Sequence, residues 1–136
     1  MSEQRIAIYR ETMDVRWGDM DALGHVNNTV YFRYYETVRV NWLFSIGHGI
    51  EASPTGPVVI NASCTFLTPI VYPGRILVEM FAGNPGRSSF DTWYEIRPTE
   101  AAEPLYAEGA SRVVWVNHQA GKSVPIPDGV RALIER

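Results

Sequence analysis

Within the stretch Asp19 to Asn28 (DMDALGHVNN), two carboxylates, one imidazole and two carboxamides surround a single glycine, directly ahead of an apolar segment. A carboxylate in such a place can serve as nucleophile or general base, and an imidazole can hold or move a proton. Unpaired amides at a helix start can steady a developing negative charge. The same residue types also have a plain structural use, because Asp and Asn favour turns and N-caps. The crowd is therefore either an elaborate structural joint or a catalytic site built on a helix end. Asn27 or Asn28 is the expected cap, and Gly24 permits unusual dihedrals in the turn.

Other reactive side chains are sparse. Cys64 is the only cysteine, so it has no intrachain disulfide partner and no zinc-binding companion, and its place on the inner face of an alternating strand marks it as a small core residue. His118, in VNHQAGK, sits in a polar turn and is expected to be solvated, as is His48 in the glycine-rich SIGHG segment. Tyr31, Tyr34 and Tyr35 have the spacing of helix core packing, and Glu36 and Arg39 form an i,i+3 pair. The sequence has no cluster with metal-ligand spacing and no glycine-rich phosphate loop, so neither a metal nor another cofactor is expected.

The elements that must position these residues can be read from periodicity. Residues 6–17 mix β-branched, aromatic and polar types as a strand does. From 28 to 46 the apolar residues Tyr31, Tyr34, Tyr35, Val38, Trp42 and Ile46 recur at helical spacing, and further apolar residues on other faces imply a largely buried helix. Glycines and prolines then mark a loop over 47–57. Val58, Ile60, Ala62, Cys64 and Phe66 alternate with polar residues as a strand with one buried face. A turn at 71–75 and strand-like runs at about 75–83, 88–97 and 104–117 follow, and the tail from 127 to 136 reads as a short helix. A helix followed by antiparallel strands predicts a single α+β domain over 1–136, with about five strands wrapping the helix.

Composition narrows the function. With 46% hydrophobic and 20% charged residues the chain is an ordinary globular sequence. A net charge of -3 without a basic run gives no footprint for nucleic acid. No apolar stretch is long enough to span a bilayer and the amino terminus lacks a signal-peptide core, so no membrane insertion and a cytoplasmic location are expected. The exposed edges of such a sheet favour a homo-oligomer.

The pattern Arg16-Trp17-x-Asp19-x-Asp21-x-x-Gly24-His25-Val26-Asn27-Asn28-x-x-Tyr31, with Tyr35-Glu36 beyond it, resembles the signature of hotdog-fold acyl-CoA thioesterases of the 4-hydroxybenzoyl-CoA thioesterase type. The order of elements agrees over nearly the whole chain. The resemblance implies a hotdog fold, an acyl-CoA substrate, and a homodimer or homotetramer with active sites at the subunit interface. By position it makes Asp21 the catalytic carboxylate, with Gly24, His25 and Asn28 around the reacting carbonyl and Asp19 as the supporting neighbour. It also places Tyr31 and, from the partner subunit, Asn61 and Ser63 beside the acyl group, and Arg87, Ser88 and Ser89 on the coenzyme A phosphates.

The implied chemistry is sound. A thioester releases a thiol whose pKa is near that of cysteine, about 8.5, so no strong acid is needed for its departure. What is needed is a nucleophile or a base to prepare water, together with positive potential at the carbonyl oxygen. Two other readings stand beside hydrolysis: hydration or dehydration of an acyl thioester, and acyl-CoA binding without turnover.

Overall fold

The run Asn28–Ser45 forms one unbroken helix, α1, closed at both ends. At its start the Asn27 side chain accepts from the Thr29 amide at 2.9 Å, so of the two asparagines Asn27 is the cap. At its end Gly47 donates to Phe44 O and His48 donates to Leu43 O, the paired bonds of a Schellman motif that stops the helix and fixes where His48 emerges.

The computed structural model describes residues 5–49 and 54–135. Around α1 lie β1 (Ile6–Val15), β2 (Thr55–Phe66), β3 (Gly74–Gly83), β4 (Ser89–Pro98), β5 (Ala107–Asn117) and the short β6 (Lys122–Ser123), with α2 (Asp128–Ile134) last. The strands form one antiparallel sheet in the order β1-β3-β4-β5-β2, and β6 pairs with β5. This is the α+β hotdog fold, a long helix held against a curved sheet. Two boundaries shift from expectation: β2 begins at Thr55, inside the expected loop, and β6 is an added strand. Residues 50–53 of that loop lie outside the described residues.

One face of α1 supplies Tyr31, Tyr34, Tyr35, Val38 and Trp42 to the core, opposite Ile76, Val78, Met80, Phe90, Ile96 and Val113 of the sheet. The close approach needs Gly109: a Cβ there would sit 2.5 Å from the Tyr35 ring, which instead stacks on Tyr94 with centroids 4.7 Å apart. The helix is less buried than its apolar content suggests, for Phe32 and Phe44 are exposed. With one sheet to pack against, only one stripe of the helix is covered.

The larger correction concerns β2. Its alternating residues were expected to have a buried face, yet Val58, Ile60 and Phe66 are exposed and Cys64 is half-buried. As an edge strand β2 pairs, among the described residues, only with β5, which leaves one of its flanks without a neighbour among them. The opposite edge differs, since α2 packs beside β1. Among the described residues no helix is long and apolar enough to cross a membrane.

Candidate active site

The segment between β1 and α1 is knotted around Asp19. Its Oδ2 accepts from the Arg16 amide at 2.9 Å and from the Tyr34 hydroxyl at 2.8 Å, while the Arg16 guanidinium lies 3.4 Å from Oδ1. The Asp19 carbonyl accepts from the Asn27 amide at 2.9 Å. Both carboxylate oxygens of Asp19 are thus engaged within the chain: Asp19 is 4% exposed and fastens β1, the loop and α1 together. Burial, with the Asp19 carboxylate next in effect, pushes the Tyr34 hydroxyl well above its ordinary pKa, so Tyr34 stays a donor.

Asp21 is the opposite case. Its Oδ1 accepts from the Leu23 amide at 2.9 Å, its amide donates to His25 O, and its carbonyl accepts from Gly24, so residues 21–25 form a tight turn. Gly24 has φ +86°, which a side chain would strain. The bridge between Met20 and Val26 closes the base of the turn. Oδ2 of Asp21 has no hydrogen bond among the described residues, and Asp21 lines an open cleft of ≈ 540 Å³ with Trp17, Met20 and Tyr72. Trp17 in this wall is 77% exposed, and Leu23 on the same turn is 83% exposed.

His25, Asn28 and Tyr31 line a neighbouring cleft of ≈ 260 Å³ with Phe66, Leu67 and Pro69. Phe66 meets the Tyr31 ring edge-on at 4.8 Å, and burial raises the Tyr31 pKa above its usual value. His25 and Asn28 are exposed, and no side-chain hydrogen bond joins His25 to Asp21 among the described residues. Asp21, Gly24, His25, Asn28 and Tyr31 therefore share one end of α1, with Asp21 and His25 on separate flanks.

The remaining candidates lie elsewhere. Asn61 and Ser63 pair with Arg112 and Ala110, while Ala62 and Cys64 alternate onto the helix side, where Cys64 Sγ lies 3.1 Å from the Tyr35 hydroxyl. The pleat thus turns Asn61 and Ser63 to the outer face, and Ser63 borders a groove with Trp93 and Glu108, away from α1. Within one chain both stand away from α1, and their expected place, lining the acyl group from the partner subunit, involves a second copy. Arg87, Ser88 and Ser89 precede or open β4, and Ser89 pairs with Val114 near the end of β5. Asp21 follows β1, whose last residue Val15 pairs with Gly74 at the start of β3, so the two sets sit at opposite ends of the sheet of one chain. The Arg87 guanidinium is exposed and donates to Ser88 Oγ.

Several arrangements were not foreseen. Glu36 pairs with Arg33 at 3.2 Å, and Arg39 instead donates to the Tyr94 hydroxyl at 3.1 Å, so the expected Glu36–Arg39 pair is absent. Thr92, Ser111 and Tyr94 share buried hydroxyl contacts beneath α1, which keeps each of them satisfied. His48 is half-buried and stands edge-on to Trp115 at 5.4 Å, where exposure had been expected. His118 is exposed as foreseen, but its ring packs against Gly56.

Residues 15–134 match the thioesterase-like superfamily, and the chain belongs to that family. The PA2801 protein of Pseudomonas aeruginosa, a proposed thioesterase, is 41% identical, with a TM-score of 0.89 over 93% of this chain and 97% of that one. A proposed acyl-CoA thioesterase from Xanthomonas campestris is 35% identical, with a TM-score of 0.76 over 82% and 94% of the two chains. The uncharacterised protein YsmA of Bacillus subtilis is 28% identical over 85% of this chain and 78% of its own length. The class of reaction that this membership supports is thioester hydrolysis.

Proposed function

We propose that the protein hydrolyses acyl-CoA thioesters in the manner of the 4-hydroxybenzoyl-CoA thioesterase type, with Asp21 as the reacting carboxylate. The observation that carries this reading is the contrast in hydrogen bonding. Asp21 keeps one carboxylate oxygen free of protein partners in the turn that leads into α1, whereas Asp19 keeps none. The amides at the start of α1, Asn28 among them, supply the positive end of an 18-residue helix. A thioester carbonyl oxygen directed at them would have its developing charge stabilised as the tetrahedral intermediate forms.

Two routes use the same groups. In one, Asp21 removes a proton from water as water adds to the carbonyl carbon, and the carbon–sulfur bond then breaks to release CoA thiolate and the acid. In the other, Asp21 adds to the carbonyl, thiolate leaves, and water opens the resulting mixed anhydride. Gly24 lets the turn come close to the substrate, and His25 borders the leaving-group side. Water is the co-substrate, and no other cofactor is invoked.

The site gains its remaining parts from a second copy. Pairing the bare β2 edge with itself about a two-fold would cover Val58, Ile60 and Phe66. The same operation carries the Arg87, Ser88 and Ser89 end of one sheet toward the Asp21 end of the other, which is where phosphates of bound CoA would need a cation. The test is to incubate the protein with acetyl-, octanoyl- and benzoyl-CoA and to measure free thiol and free acid together. Equal release of both supports hydrolysis; a hydrated acyl-CoA with no free thiol, or no product at all, would overturn it.

A further inference from the structure

The turn that joins Gly83, the last residue of β3, to Ser89, the first of β4, is fastened by three parts of the chain. Gly86 donates to Ser89 O at 2.7 Å and closes the turn, and Trp115 donates to Ser88 O at 2.7 Å, which ties its exit to β5. The carbonyls of Gly86 and Arg87 are held by the last residues of the chain. Arg131 of α2 donates through Nη2 to Gly86 O at 2.5 Å and to Arg87 O at 3.3 Å. The Ile126 amide donates to Arg87 O at 2.9 Å.

Arg131 reaches this turn because α2 cannot roll. Val130 and Ile134, four residues apart and both buried, fix one face of that helix on the core. Arg131 leaves the flank of the same face, with its side chain half-buried, and its Nη1 stands 3.9 Å from Glu135 while Nη2 takes the two carbonyls. The turn it holds carries Arg87, whose exposed guanidinium donates to Ser88 Oγ and pairs with no carboxylate among the described residues. Asp91, the nearest acid along β4, is taken by Asn84 at 3.0 Å and Arg112 at 3.1 Å. The charge of Arg87 is thus left for an anion.

We infer that Arg131 is a positioning residue for coenzyme A: by holding the Gly86 and Arg87 carbonyls it fixes the turn in the form that presents Arg87, Ser88 and Ser89 to the phosphates. The inference rests on the hydrolysis reading above and on the placement of the phosphates at this turn. Binding an anion on a loop orders both the loop and a long arginine side chain, and a turn ordered in advance lowers that cost. Arg131 acts through Arg87, so its effect falls on binding of the nucleotide end and leaves the reacting carbonyl untouched. A thioester that lacks phosphates escapes it.

The test compares octanoyl-CoA with octanoyl-pantetheine, which has the same thioester and no phosphate. Arg131→Met should raise KM for octanoyl-CoA about tenfold, the scale of a lost charge-assisted contact, with kcat held within about twofold. Both constants for octanoyl-pantetheine should stay at their wild-type values. Arg131→Lys, which keeps a charged donor, should bring KM for octanoyl-CoA most of the way back. Arg87→Met should raise the same KM, and the double variant should be no weaker than Arg87→Met, since Arg131 then has nothing left to position.

Equal losses on both substrates, or a loss of the folded circular-dichroism spectrum in Arg131→Met, would overturn the inference by giving Arg131 a general structural role. Additive losses in the double variant would overturn it by making Arg131 an independent contact. An unchanged KM in Arg131→Met beside a raised one in Arg87→Met would overturn it alone. An unchanged KM in Arg87→Met would strike the phosphate placement first, and absence of thiol release from either substrate by the wild type would strike the hydrolysis reading first, each removing this inference with it.

Discussion

Asp19 and Asp21 stand two positions apart and occupy different physical worlds. Asp19 is buried, holds a main-chain amide and a tyrosine hydroxyl, and ties three elements together. Asp21 is half-exposed, spends one oxygen on its own turn, leaves the other without a hydrogen bond among the described residues, and borders a cleft. The difference teaches that a fixed carboxylate is what makes a free one useful. The Asp19 knot holds the loop against α1, and the loop in turn carries Asp21 at the amino-terminal side of that helix, where the proposed hydrolysis needs it.

The sharpest way to break the comparison is to exchange the consequences of losing each charge. Asp21→Asn should lower kcat by about 10²- to 10⁴-fold, the usual reach of a carboxylate acting as base or nucleophile, while the melting temperature stays near that of the wild type. Asp19→Ala should do the reverse in kind, costing about 3 kcal/mol of stability as the Tyr34 hydroxyl and the Arg16 amide lose their acceptor. Urea unfolding of the two variants side by side would check both.

Smaller changes sharpen the same contrast. Gly24→Ala must hold a side chain at φ +86° and should cost about 1–2 kcal/mol, read as a lower urea midpoint and a lower kcat together. Tyr34→Phe removes one charge-assisted bond from the knot and should cost about 1 kcal/mol. The weakest effect is alkaline. Burial raises the pKa of Tyr31, Tyr34 and Tyr35 above the ordinary 10.0, so the unfolded chain loses these protons at lower pH than the folded one. The associated stability is complete below pH 10 and declines as the pH rises beyond it, and the decline should be shallower in Tyr34→Phe.

The helical period of Tyr31, Tyr34, Tyr35, Val38 and Trp42 and the turn-forming glycines and prolines carried most of the fold, because both are local signals. The turn at Asp21, Gly24 and His25 was legible for the same reason, its residue types being packed into a few positions. The two aspartates could not be told apart as letters. What separates them is Tyr34, fifteen residues beyond Asp19 and brought near only by the fold. Glu36 has arginines at equal spacing on both sides, and Tyr94, a distant strand residue, decides between them by drawing Arg39 away. The alternation in β2 correctly marked a strand, but alternation reports that a face is apolar and carries no information about which chain covers it.

The most direct measurement is the rate of CoA thiol release from octanoyl-CoA by the wild type and by Asp21→Asn, at equal concentrations of protein verified as folded by circular dichroism. The account predicts steady release by the wild type and a loss of at least about a hundredfold in the variant. Equal rates in the two proteins would contradict it, and would move the reacting group away from Asp21.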